Sequence, residues 1–192
     1  MQYVQPIRDR KQIDAMKKIL LATNKRDYCL FTVGINSGLR ISDLLSLSVG
    51  DVVEERGKLK ERIELREQKT GKMKDFPLGE QSKKAIRDYL TDRFGKLNQA
   101  NREQALFLSK KGGSLQRVQA WKILNYAASA IGIKDRIGTH TLRKTFGYWA
   151  YSMGTDITRI QKLLNHSSPS ITLAYIGITQ EELDNVYLTL EL

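Results

Sequence analysis

Ser37-Gly38-Leu39-Arg40-Ile41-Ser42-Asp43-Leu44-Leu45-Ser46-Leu47 sets one arginine among leucines. Ser37-Gly38 breaks the apolar stretch 25–36, which reads as a buried helix. A short helix from about Ser42 to Leu47 then turns Leu44, Leu45 and Leu47 inward. Arg40 therefore borders an apolar patch, although a surface arginine at a helix start would look the same. Upstream, residues 9–23 place Ile13, Met16, Ile19 and Leu20 at helical spacing. Downstream, Arg62–Arg66 and Met73–Leu78 flank Lys69-Thr70-Gly71-Lys72 and read as a hairpin turning at Gly71. Residues 80–94 return to helical period through Ile86, Tyr89, Leu90 and Phe94. A polar loop over 95–105, a short strand at Phe107-Leu108 and a basic turn at Lys110–Gly113 follow. Helices are expected over 114–131, 140–153, 156–164 and 169–175, with an acidic tail helix from about Gln180. The fold class is mainly α (α+β): a helical, bundle-like domain with one small antiparallel β-sheet. No proline-rich or Gly/Ser-rich linker divides the chain, so residues 1–192 are read as one domain with a tail at 179–192.

The chain has 192 residues, with 32 Lys plus Arg against 21 Asp plus Glu, a net charge of +11. Glu181, Glu182, Asp184 and Glu191 follow Ile176 and no Lys or Arg does, so the first 175 residues carry about +15. Such a surplus points to a polyanion, nucleic acid before an anionic membrane. No apolar run approaches the roughly 20 residues that span a bilayer, and charges throughout residues 1–20 exclude a secretory signal. Cys29 is the one cysteine, so an internal disulfide and a cysteine-rich zinc site are excluded. With two histidines and no prominent carboxylate cluster, no metal site is expected. Aromatic residues make up 8% and are scattered, which disfavours a stacking platform for single-stranded RNA.

Several polar residues sit where a core does not need them. Lys69 falls at the proposed hairpin tip, where Lys72 and Lys74 compete with it for any role. His140 and Arg143, in His140-Thr141-Leu142-Arg143, share one helix face and follow Gly138-Thr139 into a first helical turn, which favours an anion. His166 lies in Leu163-Leu164-Asn165-His166-Ser167-Ser168, and Tyr175 follows nine residues later. One by one, these also read as a solvated lysine, a structural histidine and a core tyrosine.

In this order, Arg40, Lys69, His140-x-x-Arg143, His166 and Tyr175 resemble the tyrosine site-specific recombinases, the phage-integrase family. The resemblance runs from about Arg40 to Ile178. It implies the catalytic fold of that family, DNA strand cleavage and rejoining through a 3′-phosphotyrosyl link, and no metal, cofactor or ATP. By the same resemblance Tyr175 is the nucleophile, and Arg40 and Arg143 clamp the non-bridging oxygens. His140 helps as acid and base, His166 donates to the phosphate, and Lys69 protonates the leaving 5′ oxygen. Asp43 corresponds to an acidic position behind the arginine–histidine cluster. The residue types suit the task, because arginine forks onto phosphate oxygens and lysine does not. An arginine-lined site should also ease deprotonation of the tyrosine.

The partners implied are double-stranded recombination sites and a homotetramer on DNA, with a monomer in isolation and no membrane. The location implied is the cytoplasm, at the nucleoid. Lys72, Lys74, Lys110, Lys111, Arg117 and Lys144 are candidate DNA contacts. Lys144 stands where the family often has a second histidine, and Asn165 where it usually has glycine. The family's separate N-terminal DNA-clamping domain is not expected here, as only Met1–Asp9 precede the first helix. The chain then reads as an excised catalytic domain or as a short recombinase that flips promoter segments, the former slightly preferred. The tail would dock on a neighbouring protomer or pack in cis. The rival readings are a non-catalytic DNA-binding protein of the same fold, a type IB topoisomerase-like enzyme and a basic RNA-binding protein. A worn-out site would be expected to have lost at least one of the six residues.

Overall fold

The computed structural model describes residues 4–190. Nine α-helices and one hairpin are present among them: α1 Arg10–Thr23, α2 Lys25–Ser37, α3 Ile41–Leu45, β1 Arg62–Arg66, β2 Met73–Pro77, α4 Glu80–Phe94, α5 Arg117–Ala130, α6 Thr139–Ser152, α7 Ile157–Leu163, α8 Pro169–Ile176 and α9 Gln180–Thr189. The fold is mainly helical with a two-stranded antiparallel sheet, in the register Arg62 opposite Pro77 and Arg66 opposite Met73.

Local signals set most boundaries. Asp9 accepts from the amide of Lys11 to start α1, and Asn24 ends that helix while capping α2 through Arg26 N. Gly38 ends α2 in the left-handed region at φ 60°. A side chain there is strained twice over, because a Cβ would lie 2.5 Å from the Phe146 ring of α6. Ser168 caps α8, whose first residue is Pro169.

Two expected elements differ. Phe107-Leu108 forms no strand; instead Ala105 bridges Ser48 and Leu108 bridges Ser114, so this segment is stitched to its neighbours at single points. The helix expected from 114 begins at Arg117, because the Ser114 hydroxyl bonds the Leu45 carbonyl and Leu115 N bonds Phe107 O, which holds the chain extended. The tail helix lies at Gln180–Thr189, and residues 191–192 of the expected 179–192 tail are outside the described residues.

Burial separates two apolar clusters. The larger joins α1, α2, α4 and α5 through Met16, Leu20, Phe31, Ile86, Leu90 and Leu124. The smaller is Ile160, Leu164 and Ile176, ringed by Phe146, Tyr151 and Tyr175. Helix α6 belongs to both, giving Leu142 to the first and Phe146 to the second. Gly147 lets α8 approach, since a Cβ there would lie 2.7 Å from Ile176. The N-terminal segment straps this arrangement. Ile7 N donates to Thr145 Oγ1 at 2.9 Å, Trp149 Nε1 donates to Ile7 O at 2.9 Å, and Arg8 Nη2 donates to Gly177 O at 2.7 Å. The end of α8 is thereby tied to α6. No helix among the described residues is long and apolar enough to cross a membrane.

Candidate active site

Arg143 sits on the inner face of α6, 2% exposed, and reaches the turn after α2 and the end of α7. Its Nη1 donates to Gly38 O and its Nη2 to Leu164 O. Two main-chain carbonyls from separate loops thus fix the plane of the guanidinium before any substrate arrives.

Tyr175, on α8, faces that guanidinium. Its hydroxyl is buried and has no well-formed hydrogen bond among the described residues. Burial raises its pKa above the usual phenol value, outweighing the lowering by Arg143 and Arg40. The expectation that the arginines ease deprotonation is therefore met in direction but not in net effect: without DNA, desolvation wins. A neighbouring base must take the proton.

Two neutral imidazoles are at hand. His166 packs edge-on against the Tyr175 ring, with centroids 4.8 Å apart. Thr172 Oγ1 lies 3.1 Å from its Nδ1 and fixes the ring, leaving Nε2 for a substrate. Burial, then Arg143 and Arg40, push the His166 pKa down to about 4, so the ring is neutral at pH 7. His140, in the first turn of α6, is lowered by burial and by Arg117, Lys144, Arg143 and Arg40. It keeps an exposed edge.

Arg40 precedes α3 and is largely buried. Its carboxylate partner is Glu67, with Arg40 Nη1 2.8 Å from Glu67 Oε1. Glu67 is 2% exposed and also accepts from Thr70 Oγ1 at 2.7 Å and from Asn165 Nδ2 at 3.1 Å. These three donors outweigh the cost of burial and hold the carboxyl down to about 2. Asp43, fully buried, accepts instead from the amide of Gln68 at 3.0 Å, and its Oδ2 has no partner among the described residues. Asp43 therefore anchors the hairpin, while Glu67 anchors the arginine.

The lysines sort differently. Lys69 is exposed in the hairpin turn and makes no hydrogen bond or ion pair to the cluster. Lys74 is half-buried, with Nζ 3.2 Å from Leu163 O, and burial followed by the charge of Arg143 lowers its ammonium pKa to about 8. Lys72 Nζ reaches Asn165 Oδ1 at 3.4 Å. Lys144 is buried, with its ammonium 5.1 Å from the centre of the Tyr175 ring, a cation–π contact rather than a solvent-facing position. Lys110, Lys111 and Arg117 are exposed. Arg40, His140, Arg143, His166 and Tyr175 are thus gathered, and Lys69 stays outside. Sequence reasoning missed Glu67, Asn165 and Thr172 as members of the site. Glu67 gave a usable signal, an acid on the hairpin two residues before Lys69. Among the described residues no group of three His, Cys, Asp or Glu side chains is placed to hold a metal. Cys29 is buried, and desolvation raises its thiol pKa, so it stays protonated.

A phenol, two arginines and two neutral imidazoles thus lie around one point. The model of the phage integrase family matches residues 9–182, and the chain belongs to that family, whose members are the tyrosine recombinases. It is 45% identical over 182 residues to the probable integrase/recombinase YoeC of Bacillus subtilis (strain 168), covering 94% of this chain and 93% of that protein. It is 33% identical to the tyrosine recombinase XerD of Corynebacterium glutamicum, covering 91% of this chain and 56% of that one. It is 32% identical to the type 1 fimbriae regulatory protein FimE of Escherichia coli (strain K12), covering 86% of this chain and 82% of FimE. In structure it resembles XerA recombinase, with a TM-score of 0.76 at 22% identity over 98% of this chain and 64% of that one. The XerH site-specific recombinase bound to its palindromic difH substrate, a post-cleavage complex, also gives 0.76, over 100% of this chain and 55% of that one.

Proposed function

We propose that this chain cuts and rejoins DNA at specific sites, with Tyr175 attacking the scissile phosphorus. The observation that carries the reading is the buried Tyr175 hydroxyl, which faces the guanidinium of Arg143 fixed by two carbonyls, with His166 against its ring. A phosphodiester placed there brings non-bridging oxygens to Arg143 and Arg40, which neutralise the charge growing in the transition state. The phenolic proton passes to a neutral imidazole. The new bond joins phosphorus to the tyrosine oxygen, the bond from phosphorus to the 5′ oxygen breaks, and that oxygen takes a proton. The 5′ hydroxyl of a partner strand reverses the sequence, so bond energy is conserved without ATP. Lys69 supplies the leaving-group proton by resemblance and must swing inward to do so. Lys74 is the second candidate, because it already borders the cluster and its lowered pKa makes it a better acid near neutrality.

XerH is named as bound to its DNA substrate, which supports duplex DNA as the partner of this chain. The net charge of +11 supports the same reading. We assign a homotetramer to the active assembly. Leu183, Val186, Leu188 and Leu190 of the tail are exposed, which leaves α9 free to dock on a neighbour. The test is denaturing capture of protein–DNA adducts from cells, with Tyr175→Phe alongside and sequencing of the attached ends. Adducts at recurrent sites that vanish in the variant support the proposal. Adducts that persist move the nucleophile to another tyrosine, and none in either chain favours a binding-only protein.

A further inference from the structure

Arg40 is useful as a phosphate clamp only if its guanidinium is held in one orientation, and a side chain with four rotatable bonds does not hold itself. Arg143 is steered by two carbonyls, whereas Arg40 donates to no main-chain carbonyl among the described residues. What Arg40 has is Glu67, 2.8 Å away and almost wholly buried. Glu67 in turn stands at the meeting point of three segments. Its own main chain closes the hairpin turn, with Glu67 N bonded to Lys72 O and Gly71 N bonded to Glu67 O. Its Oε2 accepts from Thr70 at the hairpin tip and from Asn165 in the turn before His166. Asn165 holds a positive φ of 49°, and its Oδ1 accepts from Lys72 Nζ at 3.4 Å. The side chain that replaces the family's usual glycine is therefore a strut from the hairpin to the turn bearing His166.

We infer that Glu67 is the positioning residue of this site: its carboxylate orients Arg40 for the phosphate and, through Thr70 and Asn165, sets the hairpin and the His166 turn relative to that arginine. The inference rests on the reading of Arg40 as a phosphate clamp. It also specifies a division of labour. Glu67 pairs with the guanidinium as an ion pair on its Nη1 side, which leaves the other nitrogens for the substrate. Glu67 does not touch the reacting atoms, and as an anion it repels them. A role in orientation and a role in stability thus have opposite signatures on DNA binding.

The experiment uses the full chain and a duplex carrying a cleavage site recovered by adduct sequencing. Single-turnover cleavage and non-covalent affinity are measured for Glu67→Gln, Arg40→Ala, the double variant and Asn165→Gly. Glu67→Gln keeps the size and one of the two accepting oxygens, removes the charge and turns the other oxygen position into a donor. Cleavage should fall by roughly 100-fold, the scale of a misplaced catalytic group, while affinity stays equal or tightens. In the Arg40→Ala background, Glu67→Gln should cost no more than loss of the strut, about 10-fold. Asn165→Gly keeps the left-handed turn and removes the strut, so cleavage should fall about 10-fold with unchanged thermal stability. Wild-type cleavage in Glu67→Gln, or equal losses with and without Arg40, overturns the inference. Affinity lost in parallel with cleavage, at a temperature where the variant is folded, assigns Glu67 a structural role and also overturns it. Undiminished cleavage in Arg40→Ala defeats the clamp reading itself, a separate result.

Discussion

Replacing Gly38 with alanine tests how the fold and the site are joined. The residue lies at φ 60°, and its added Cβ would meet Phe146 Cδ1 at 2.5 Å and Cε1 at 2.8 Å. The backbone cost of a left-handed alanine is about 1–2 kcal/mol. The forced movement of a packed ring adds about 1–3 kcal/mol. The variant should therefore lose roughly 2–5 kcal/mol, read by urea denaturation with an unchanged slope. Truncating Phe146 to alanine separates the two parts. In that background Gly38→Ala should cost only the backbone share, about 1–2 kcal/mol. Because Gly38 O accepts from Arg143, cleavage should fall even at temperatures where the variant is folded. A loss under about 1 kcal/mol would refute the reasoning, and an equal loss in both backgrounds would refute the clash.

Three further outcomes follow from the site. Tyr175→Phe removes a buried hydroxyl that makes no well-formed hydrogen bond, so calorimetry should show a chain at least as stable as wild type; a loss above about 1 kcal/mol would mean that Arg143 bonds the hydroxyl. Glu67 has a folded pKa of about 2 against an ordinary 4.5, so its stabilisation is full above pH 4.5 and is lost as pH falls towards 2. That is worth about 3 kcal/mol, and the stability gap between wild type and Glu67→Gln should close across this window. The His166 pKa is lowered to about 4 from 6.5, so its imidazole should titrate by NMR well below pH 6, and its contribution to stability, present above pH 6.5, should fade as pH drops towards 4. A titration near 6.5 would show that the ring is not desolvated beside Arg143 and Arg40.

The amino-acid sequence by itself determined the order and type of the elements. Helix period, the caps at Asp9, Asn24 and Ser168, and the Gly71 turn are local, and their energies are decided within a few residues. The set Arg40, His140, Arg143, His166 and Tyr175 came from the resemblance of their motifs to one family, and the structure brings these five side chains together. Helix α5 starts at Arg117 and not at 114, since Ser114 and Leu115 are held by Leu45 and Phe107, partners that no local window contains.

Only the tertiary structure decided how the members work. Asp43 is three residues from Arg40, yet Glu67, 27 residues away in sequence, is the carboxylate that reaches it. Lys144 reads as a surface cation and is drawn against the Tyr175 ring by the packing of α6 on α8. Lys69 and Lys74 differ by five positions on one hairpin, and the approach of the Leu163 carbonyl brings in only the second. These outcomes hinge on pairs far apart in the chain, 98 residues for Glu67 and Asn165. Such pairs meet only where the packed cores bring their backbones together, and burial then fixes which of several equivalent charges is desolvated and paired.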